Sequence, residues 1–394
     1  MKSNNLLNLY APTKLIFGPN SVHHIGEITK YYGSKVFVVT MKNLVHLGLL
    51  DDAIKSFDKI GIKYTIYSDT NPEPTCDDIN QLSKIVKNGK FDVIVGFGGG
   101  SCMDLAKGLA ILANHPKTIW SYVDLSNKPP EKINIDKVLP VVTVPTASGT
   151  GSEVTPYAVF KNTKTIQKGT IKDLAIFPKV AIIDPYLTFS VPKELTASIG
   201  VDALSHMLEN YFNIVRRNPY SDALVEKSLG IIAKYLPLAY RNGKNLQARS
   251  NVALASALAG IANANAGTTV VHALSHPAGA RLNIPHGISV SMFLVSVMKE
   301  TIYLENDRLK KICQIFGVYN KKLKRKEMAD KVINFINELL HSINMTPKLS
   351  DYTREKIFIE TIVDDALSYM SRPIGQHVKV YTKNELLKIV KESF

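Results

Sequence analysis

Short β-branched runs alternate with helical patterns through the first half of this chain, and the alternation limits its possible folds more than any other feature. The runs that we interpret as strands are residues 35–40, 62–67, 91–96, 138–144 and 180–184. Helical patterns lie between several of them, and this order favours parallel strands that are covered by helices on both faces. The first half is therefore predicted to be an α/β domain.

The strand signal fades after about Pro185. The remaining sequence shows successive helical patterns, for example at residues 222–235 and 247–264. We predict two domains, an α/β domain at 1–186 and an all-helical domain at 187–394, which pack closely because no low-complexity linker separates them. No apolar run reaches the roughly 18 residues that a membrane span requires.

The distribution of charge and the cysteines argue against a nucleic-acid-binding protein and against a disulfide-rich secreted protein. The net charge is +14, but the only dense basic run, residues 321–326, lacks interleaved aromatic residues and reads as a solvated loop between helices. We therefore expect no nucleic-acid partner, although the charge favours anionic cofactors or substrates. Cys76, Cys102 and Cys313 form no disulfide framework, and residues 1–8 lack the apolar core of a signal peptide. A cytoplasmic location is expected.

Histidines at helical spacing predict a metal site in the second half. Asp202 and His206 are four residues apart, so they share one helix face, and His272 and His276 repeat this spacing. With His286, we predict the ligands Asp202, His206, His272 and His286. Three imidazoles and one carboxylate suit iron(II) or zinc better than magnesium or calcium. The surplus His276 either relays a proton to or from the substrate or orients a ligand.

Two loops rich in glycine and hydroxyl groups follow predicted strands. Residues 98–101 read Gly-Gly-Gly-Ser and open a helix, and residues 145–153 read Pro-Thr-Ala-Ser-Gly-Thr-Gly-Ser-Glu. Glycines allow a pyrophosphate to approach the backbone, and free amides at a helix start attract its charge. The first loop alone is a weak signal, but two such loops at strand ends indicate a nucleotide site. Together with the metal site they predict a metal-assisted redox enzyme.

The chain resembles the iron-containing (group III) alcohol dehydrogenases, which include lactaldehyde reductases, 1,3-propanediol dehydrogenases and butanol dehydrogenases. The likeness covers nearly the whole sequence and is most specific at residues 202–206 and 272–287. It implies a Rossmann-like dinucleotide domain followed by a helical metal domain, as in the dehydroquinate synthase superfamily. It also implies reversible hydride transfer between NAD(P)H and a small primary alcohol or aldehyde, and a homodimer or larger oligomer.

The resemblance assigns residues to the nicotinamide cofactor as well. Those expected to bind it are Met41, Asn71, Gly99, Gly100, Ser101, Thr146, Ser148, Thr150, Val159, Lys168 and Leu187. Many family members end the second strand with Val-Thr-Asp, whose carboxylate binds the adenosine ribose and repels a 2′-phosphate. Here Met41 and Lys42 follow Val39 and Thr40, so we expect NADP to be tolerated or preferred.

A second departure from the family lies near the metal. Asn263 stands where an aromatic residue is usual, and Thr268 and Thr269 replace a Leu-Gly pair. These changes predict a polar pocket for a hydroxylated or anionic aldehyde. Alternatives that remain are a zinc-dependent polyol dehydrogenase, a sugar-phosphate cyclase of the same superfamily, a non-enzymatic nucleotide-binding module and a metal-dependent hydrolase; the last leaves the nucleotide loops unexplained.

Overall fold

The computed structural model describes residues 8–394. Nearly all of the segment considered for a signal peptide therefore lies outside the described residues. Within them, no helix is both long and apolar enough to cross a membrane.

Parallel strands form the centre of the N-terminal part. The strands are β1 (Lys14–Phe17), β2 (Lys35–Val39), β3 (Lys63–Tyr67), β4 (Val93–Gly98), β5 (Val141–Pro145), β6 (Tyr157–Asn162), β7 (Gln167–Lys172) and β8 (Val180–Ile183). The main sheet has the order β1-β8-β5-β4-β2-β3 and every pair in it is parallel. All five predicted strands are present. The sequence analysis missed the edge strand β1 and the antiparallel hairpin of β6 and β7.

Helices cover the sheet and make up the rest of the chain. Those of the N-terminal part are α1 (Ile25–Lys30), α2 (Lys42–His46), α3 (Asp51–Lys59), α4 (Cys76–Gly89) and α5 (Gly100–Leu112). Those that follow β8 are α6 (Lys193–Phe212), α7 (Pro219–Arg241), α8 (Leu246–Ala266), α9 (Val270–Leu282), α10 (His286–Thr301), α11 (Asn306–Ile315), α12 (Arg325–Ser342), α13 (Ile357–Tyr369), α14 (Ser371–Gly375) and α15 (Lys383–Glu392). The predicted α/β and all-helical halves are thus confirmed.

The predicted helices at residues 222–235 and 247–264 lie inside α7 and α8, which are both longer. Helix α7 starts earlier because the Asn218 side chain accepts from the Ser221 amide, and Pro219 occupies the first helical position. Most of the basic run at 321–326 lies in the exposed loop between α11 and α12, as predicted.

Side chains of the strands alternate between two apolar layers, one on each face of the sheet. Phe37 and Ile94 point to the side that α4 and α5 cover, whereas Val38 and Val95 point to the side of α1 and α3. The first layer continues without interruption into the core of α6 to α15. The sheet is therefore buried on both faces, and the helical part is packed against one of them.

The strand order creates a crevice at the carboxyl ends of β2 and β4. The chain passes from β2 outward to β3 and then returns to the opposite side of β2 to form β4. In open parallel sheets, ligands bind where the strand order reverses in this way. Residues 98–101 join β4 to α5, and Met41 follows β2, so both lie at this reversal point.

Candidate active site

Three helices bring the predicted metal ligands together. Helix α6 carries Asp202 and His206, α9 carries His272, and His286 is the first residue of α10. The Asp202 Oδ1 atom lies 3.7 Å from Nε2 of His206 and 3.4 Å from Nε2 of both His272 and His286. Ligand atoms of Asp202, His206 and His272 all lie within 4.8 Å of one another. The four predicted residues therefore form one cluster.

The cluster has the properties of a cation site. Asp202 Oδ1 and His272 Nε2 are buried and have no hydrogen-bond partner, an arrangement that is costly unless another group satisfies them. Burial opposes ionisation of Asp202, but His206 and His286 outweigh it and hold the pKa of its carboxyl well below the usual range. A divalent cation bound by these atoms would satisfy both, and one oxygen with three imidazole nitrogens fits iron(II) or zinc.

Glu209 is a functional candidate that the sequence analysis missed. Its carboxylate is fully buried and accepts from the ring Nδ1 of His272, from the amides of Thr269 (2.9 Å) and His272 (3.2 Å), and from the Ser205 hydroxyl (3.1 Å). A carboxylate bound to Nδ1 fixes the ring so that Nε2 is free for a metal. The signal was available, because Asp202, His206 and Glu209 follow the i, i+4, i+7 spacing of one helix face.

His377, from the C-terminal region, supports this arrangement through hydrogen bonds. The Thr269 hydroxyl lies 3.0 Å from Nδ1 of the His377 ring, and the Thr301 hydroxyl lies 2.9 Å from Nε2 of the same ring. The Thr269 hydroxyl also donates to Glu209, at 3.2 Å. Thr269 is fully buried, so it supports His272 instead of lining a polar pocket as the sequence analysis expected.

His276 lies next to the cluster without joining it. Its Nδ1 is 3.3 Å from the carbonyl of Lys168, and its ring centre is 5.7 Å from that of His286 and 6.4 Å from that of His272. Burial, together with the charges of His286 and Lys168, lowers its pKa well below the ordinary value, so the imidazole is neutral at physiological pH. This position is compatible with both roles considered for His276.

Most of the predicted cofactor residues follow the carboxyl ends of parallel strands. Met41 follows β2, Asn71 follows β3, Gly99, Gly100 and Ser101 follow β4, Thr146, Ser148 and Thr150 follow β5, and Leu187 follows β8. Because these strands are parallel, their carboxyl ends meet at one edge of the sheet. Val159 and Lys168 come instead from the β6–β7 hairpin, which the sequence analysis did not identify.

Contacts hold the two glycine loops together. The Thr146 amide donates to the Gly98 carbonyl at 3.0 Å, and a β-carbon on Gly100 would lie 3.0 Å from the Thr150 side chain. The Ser101 hydroxyl donates to the Pro72 carbonyl, in the segment after β3. Gly99 precedes α5, provides no side-chain cap, and has no atom within 4 Å of where its β-carbon would be. The space beside Gly99, just before the start of α5, is therefore open, as a phosphate site requires.

The remaining cofactor candidates occupy different surroundings. The Asn71 amide donates to Asp78 at 3.3 Å, the Lys168 ammonium donates to Glu73 at 2.7 Å, and the Val159 amide donates to Asp104 at 2.9 Å. Ser148 is half-buried, whereas Leu187 is buried in the apolar layer on the α1 and α3 side. Met41 pairs with Asp69, and the neighbouring Lys42 ammonium lies 2.7 Å from the Asp69 carboxylate.

A buried polar network supports the second loop. The Lys107 ammonium is fully buried and donates to the carbonyls of Ser152 (2.6 Å) and Tyr157 (2.7 Å), while Asp104 accepts from the Ser152 hydroxyl (2.6 Å). Glu153 is buried beside this network, and burial raises its pKa to about 7. The network ties the loop to α5 and to the hairpin.

The same loop also touches the metal-bearing helix. A β-carbon on Gly149 would lie 2.1 Å from the carbonyl oxygen of Ile199, so only glycine permits this approach. Ile199 is three residues before Asp202 on α6. The nucleotide loop and the metal cluster are thus adjacent parts of one structure.

Comparison with known proteins agrees with this arrangement. Residues 12–185 match the family model described as iron-containing alcohol dehydrogenase, and residues 196–394 match its C-terminal counterpart. The chain is 33% identical over 367 residues to long-chain-alcohol dehydrogenase 1 of Geobacillus thermodenitrificans, with 90% of each chain covered. It is 33% identical over 352 residues to 1,3-propanediol dehydrogenase of Citrobacter freundii, with 89% of each covered.

Solved structures show the same relation. The crystal structure of an archaeal alcohol dehydrogenase from a Red Sea brine pool superposes with a TM-score of 0.92 at 31% identity, covering 100% of both chains. The matches identify the class as the alcohol dehydrogenases, and they do not favour the polyol dehydrogenases or sugar-phosphate cyclases. The chain belongs to the iron-containing alcohol dehydrogenase family.

Proposed function

We propose that this chain is a metal-dependent, NAD(P)-linked enzyme that reversibly transfers hydride between nicotinamide and a small primary alcohol or aldehyde. The observation that carries the proposal is the buried cluster around Asp202, whose Oδ1 atom lacks a partner although three imidazoles surround it. The two glycine loops beside the cluster provide a binding place for a dinucleotide.

In this proposal Asp202, His206, His272 and His286 hold one divalent ion, iron(II) or zinc. Such an ion supplies Lewis acidity, which lowers the pKa of an alcohol and polarises a carbonyl group. Glu209 holds the His272 ring with its Nε2 atom directed at Asp202. Because the cluster is largely buried, few water molecules can compete with the substrate oxygen for this position.

The cofactor occupies the crevice at the carboxyl ends of the strands. The proposed binding residues are those of the two loops, with Asn71, Val159, Lys168, Leu187 and Met41 around them. Nicotinamide supplies or accepts the hydride. The contact of Gly149 with Ile199 supports a short separation between this crevice and the metal cluster. His276 is proposed to pass a proton between the substrate oxygen and solvent.

We also propose that both NADH and NADPH are used. Lys42 could bind a 2′-phosphate, but the structure gives it a partner, because Asp69 accepts from its ammonium at 2.7 Å. Both side chains are more than half exposed, and ion pairs of this kind contribute little. A phosphate could therefore displace Asp69 from Lys42. An efficiency ratio above about 100-fold in favour of NADH, near 2.7 kcal/mol, would contradict this proposal.

The proposed substrates are short polar aldehydes and the corresponding alcohols. Relatives carry names as different as long-chain-alcohol dehydrogenase and 1,3-propanediol dehydrogenase, and a structural neighbour at 27% identity is a sulfoacetaldehyde reductase. Family membership therefore leaves the substrate open. The buried Asn263 supports a polar pocket, since its side-chain oxygen has no partner among the described residues. A homodimer or larger assembly and a cytoplasmic location complete the proposal.

Anaerobic purification, metal analysis and a coupled assay test the function together. NADPH and NADH oxidation would be followed with butanal, lactaldehyde, 3-hydroxypropanal and succinic semialdehyde, before chelation, after it, and after addition of iron(II) or zinc. We expect turnover that chelation abolishes and metal restores. Tightly bound metal with no turnover of any aldehyde would contradict the dehydrogenase function.

A further inference from the structure

An arginine without an acidic partner lies between the end of α8 and the hairpin of β6 and β7. Arg216 is half-buried in the loop between α6 and α7, where it donates to the Ala264 carbonyl at 3.0 Å and to the Tyr157 hydroxyl at 3.4 Å. The Tyr157 hydroxyl in turn donates to the Asn263 carbonyl at 3.1 Å. The guanidinium is therefore fixed against the segment that leads into α9.

The charge of Arg216 is uncompensated. Within residues 8–394, no carboxylate lies within 4.0 Å of its guanidinium, whereas the adjacent Arg217 pairs with Glu305 and the nearby Arg308 pairs with Asp222. The two hydrogen bonds of Arg216 leave most of its five N–H donors available. Lys172 lies directly opposite Tyr157 in the hairpin, hence on the same face, and it also has no ion pair in the described part of the chain.

The segment between α8 and α9 connects this arginine to the metal cluster. A β-carbon on Gly267, the residue after α8, would lie 3.1 Å from Nη1 of Arg216. Two residues later, the Thr269 amide donates to Glu209, the carboxylate that accepts from the His272 ring.

The length of this segment limits the separation. The chain from Gly267 to Thr269 spans at most roughly 7 Å, and the three helical steps from Thr269 to His272 add about 4.5 Å. Arg216 and the metal cluster therefore flank the same short stretch of backbone.

We infer that Arg216, held in place by Tyr157 and adjacent to Asn263, forms an anion-binding subsite that selects short aldehydes with a terminal carboxylate, sulfonate or phosphate group. The guanidinium fork matches such planar or tetrahedral anions, with two parallel hydrogen bonds. The buried Asn263 amide lacks a partner for its oxygen, and rotation by a half-turn would present its NH2 group instead. This inference rests on the proposed function, because it identifies the substrate class of that site.

The reaction that the subsite would serve is balanced by the cofactor. For succinic semialdehyde, hydride from NAD(P)H forms the new C–H bond at the carbonyl carbon. The C–O π bond breaks, and the oxygen takes one proton from solvent. The products are 4-hydroxybutanoate and NAD(P)+, and the carboxylate at the other end of the molecule is unchanged throughout.

The test compares an anionic aldehyde with a neutral one of similar length. Arg216→Gln and Arg216→Lys would be assayed with succinic semialdehyde and with pentanal. We expect kcat/KM of Arg216→Gln to fall about 10- to 100-fold for the anionic substrate, mainly through KM, and to change less than about threefold for pentanal. The lysine variant should recover part of the loss. Arg354→Gln removes an exposed charge elsewhere and serves as the control.

Equal losses of kcat/KM for both aldehydes would show that Arg216 only supports the local structure, and this would overturn the subsite. A parent protein that prefers pentanal to succinic semialdehyde would also overturn it. A binding measurement separates this failure from failure of the proposed function. If no aldehyde is turned over, thermal unfolding with 4-hydroxybutanoate, 1-butanol or inorganic phosphate decides. Stabilisation by 4-hydroxybutanoate or phosphate, but not by 1-butanol, that is lost in Arg216→Gln supports the subsite. No stabilisation by the anions, or equal stabilisation of the parent protein and Arg216→Gln, overturns it.

Discussion

Replacement of Glu209 by glutamine gives the sharpest test of how the cluster is built. One carboxylate oxygen accepts from Thr269 and from the His272 amide, and the other accepts from the His272 ring and from Ser205. A glutamine that keeps the first set places its NH2 group against Nδ1–H of His272. The ring must then move, or move its proton to Nε2, the atom that lies 3.4 Å from Asp202.

The size of the effect follows from this conflict. Loss of a carboxylate that orients a metal-binding histidine typically weakens metal affinity about 10- to 100-fold, or about 1.4 to 2.7 kcal/mol. Glu209→Gln should show this loss when the apo-protein competes with a chromophoric chelator for cobalt(II) or zinc, and its cobalt(II) absorption spectrum should change.

Ser205→Ala is the matched control for Glu209→Gln. It removes a donor to the same carboxylate oxygen but leaves the His272 proton in place, so metal affinity should fall less than about threefold. Thermal unfolding of both apo-variants checks that each is folded. An affinity for Glu209→Gln within twofold of the parent protein would refute the reasoning, because His272 would then not depend on this carboxylate.

Three further predictions concern different parts of the site. His276→Ala should lower turnover about 100-fold while the protein still binds metal, whereas isolation of a metal-free protein would show that His276 is needed for the ion. Lys42→Ala should lower kcat/KM about fivefold for NADPH and leave NADH unchanged; equal effects on both cofactors would contradict a phosphate contact. Burial raises the pKa of Glu153 from 4.5 to about 7, so the native state retains a proton that the unfolded chain releases, and stability falls as pH rises through this window. Relative to the parent protein, the thermal midpoint of Glu153→Gln should therefore rise from pH 4.5 to pH 7.5. The rise should correspond to at most about 3 kcal/mol, and a difference that does not change with pH would contradict the raised pKa of Glu153.

The sequence predicts the elements that have a strong local pattern. The strand at Val93–Gly98 is buried on both faces, so its apolar run is continuous and easily recognised. Strand β1 is an edge strand with mostly exposed side chains, and it leaves no such run. The hairpin at Tyr157–Lys172 alternates buried residues with polar ones, and its pattern resembles that of a loop.

The same distinction applies to the site. Asp202, His206 and His272 are recognisable because helical spacing brings chemically related side chains to one face. Arg216 lies in an irregular loop, and nothing in its neighbours along the chain indicates that Tyr157 and Ala264 hold it. Pairing of this kind is set by the packing of distant segments, which a local pattern does not encode.

The hydrogen bond between His377 and Thr269 has a consequence for biosynthesis. Asp202 emerges from the ribosome 175 residues before His377, so at roughly 5 to 20 residues per second it is made about 10 to 35 s before the histidine that supports the cluster. During that interval the helix start that carries Thr269 and His272 lacks one of its supports. On the proposed function, an ion would therefore reach its final geometry late, when nearly the whole polypeptide has been made.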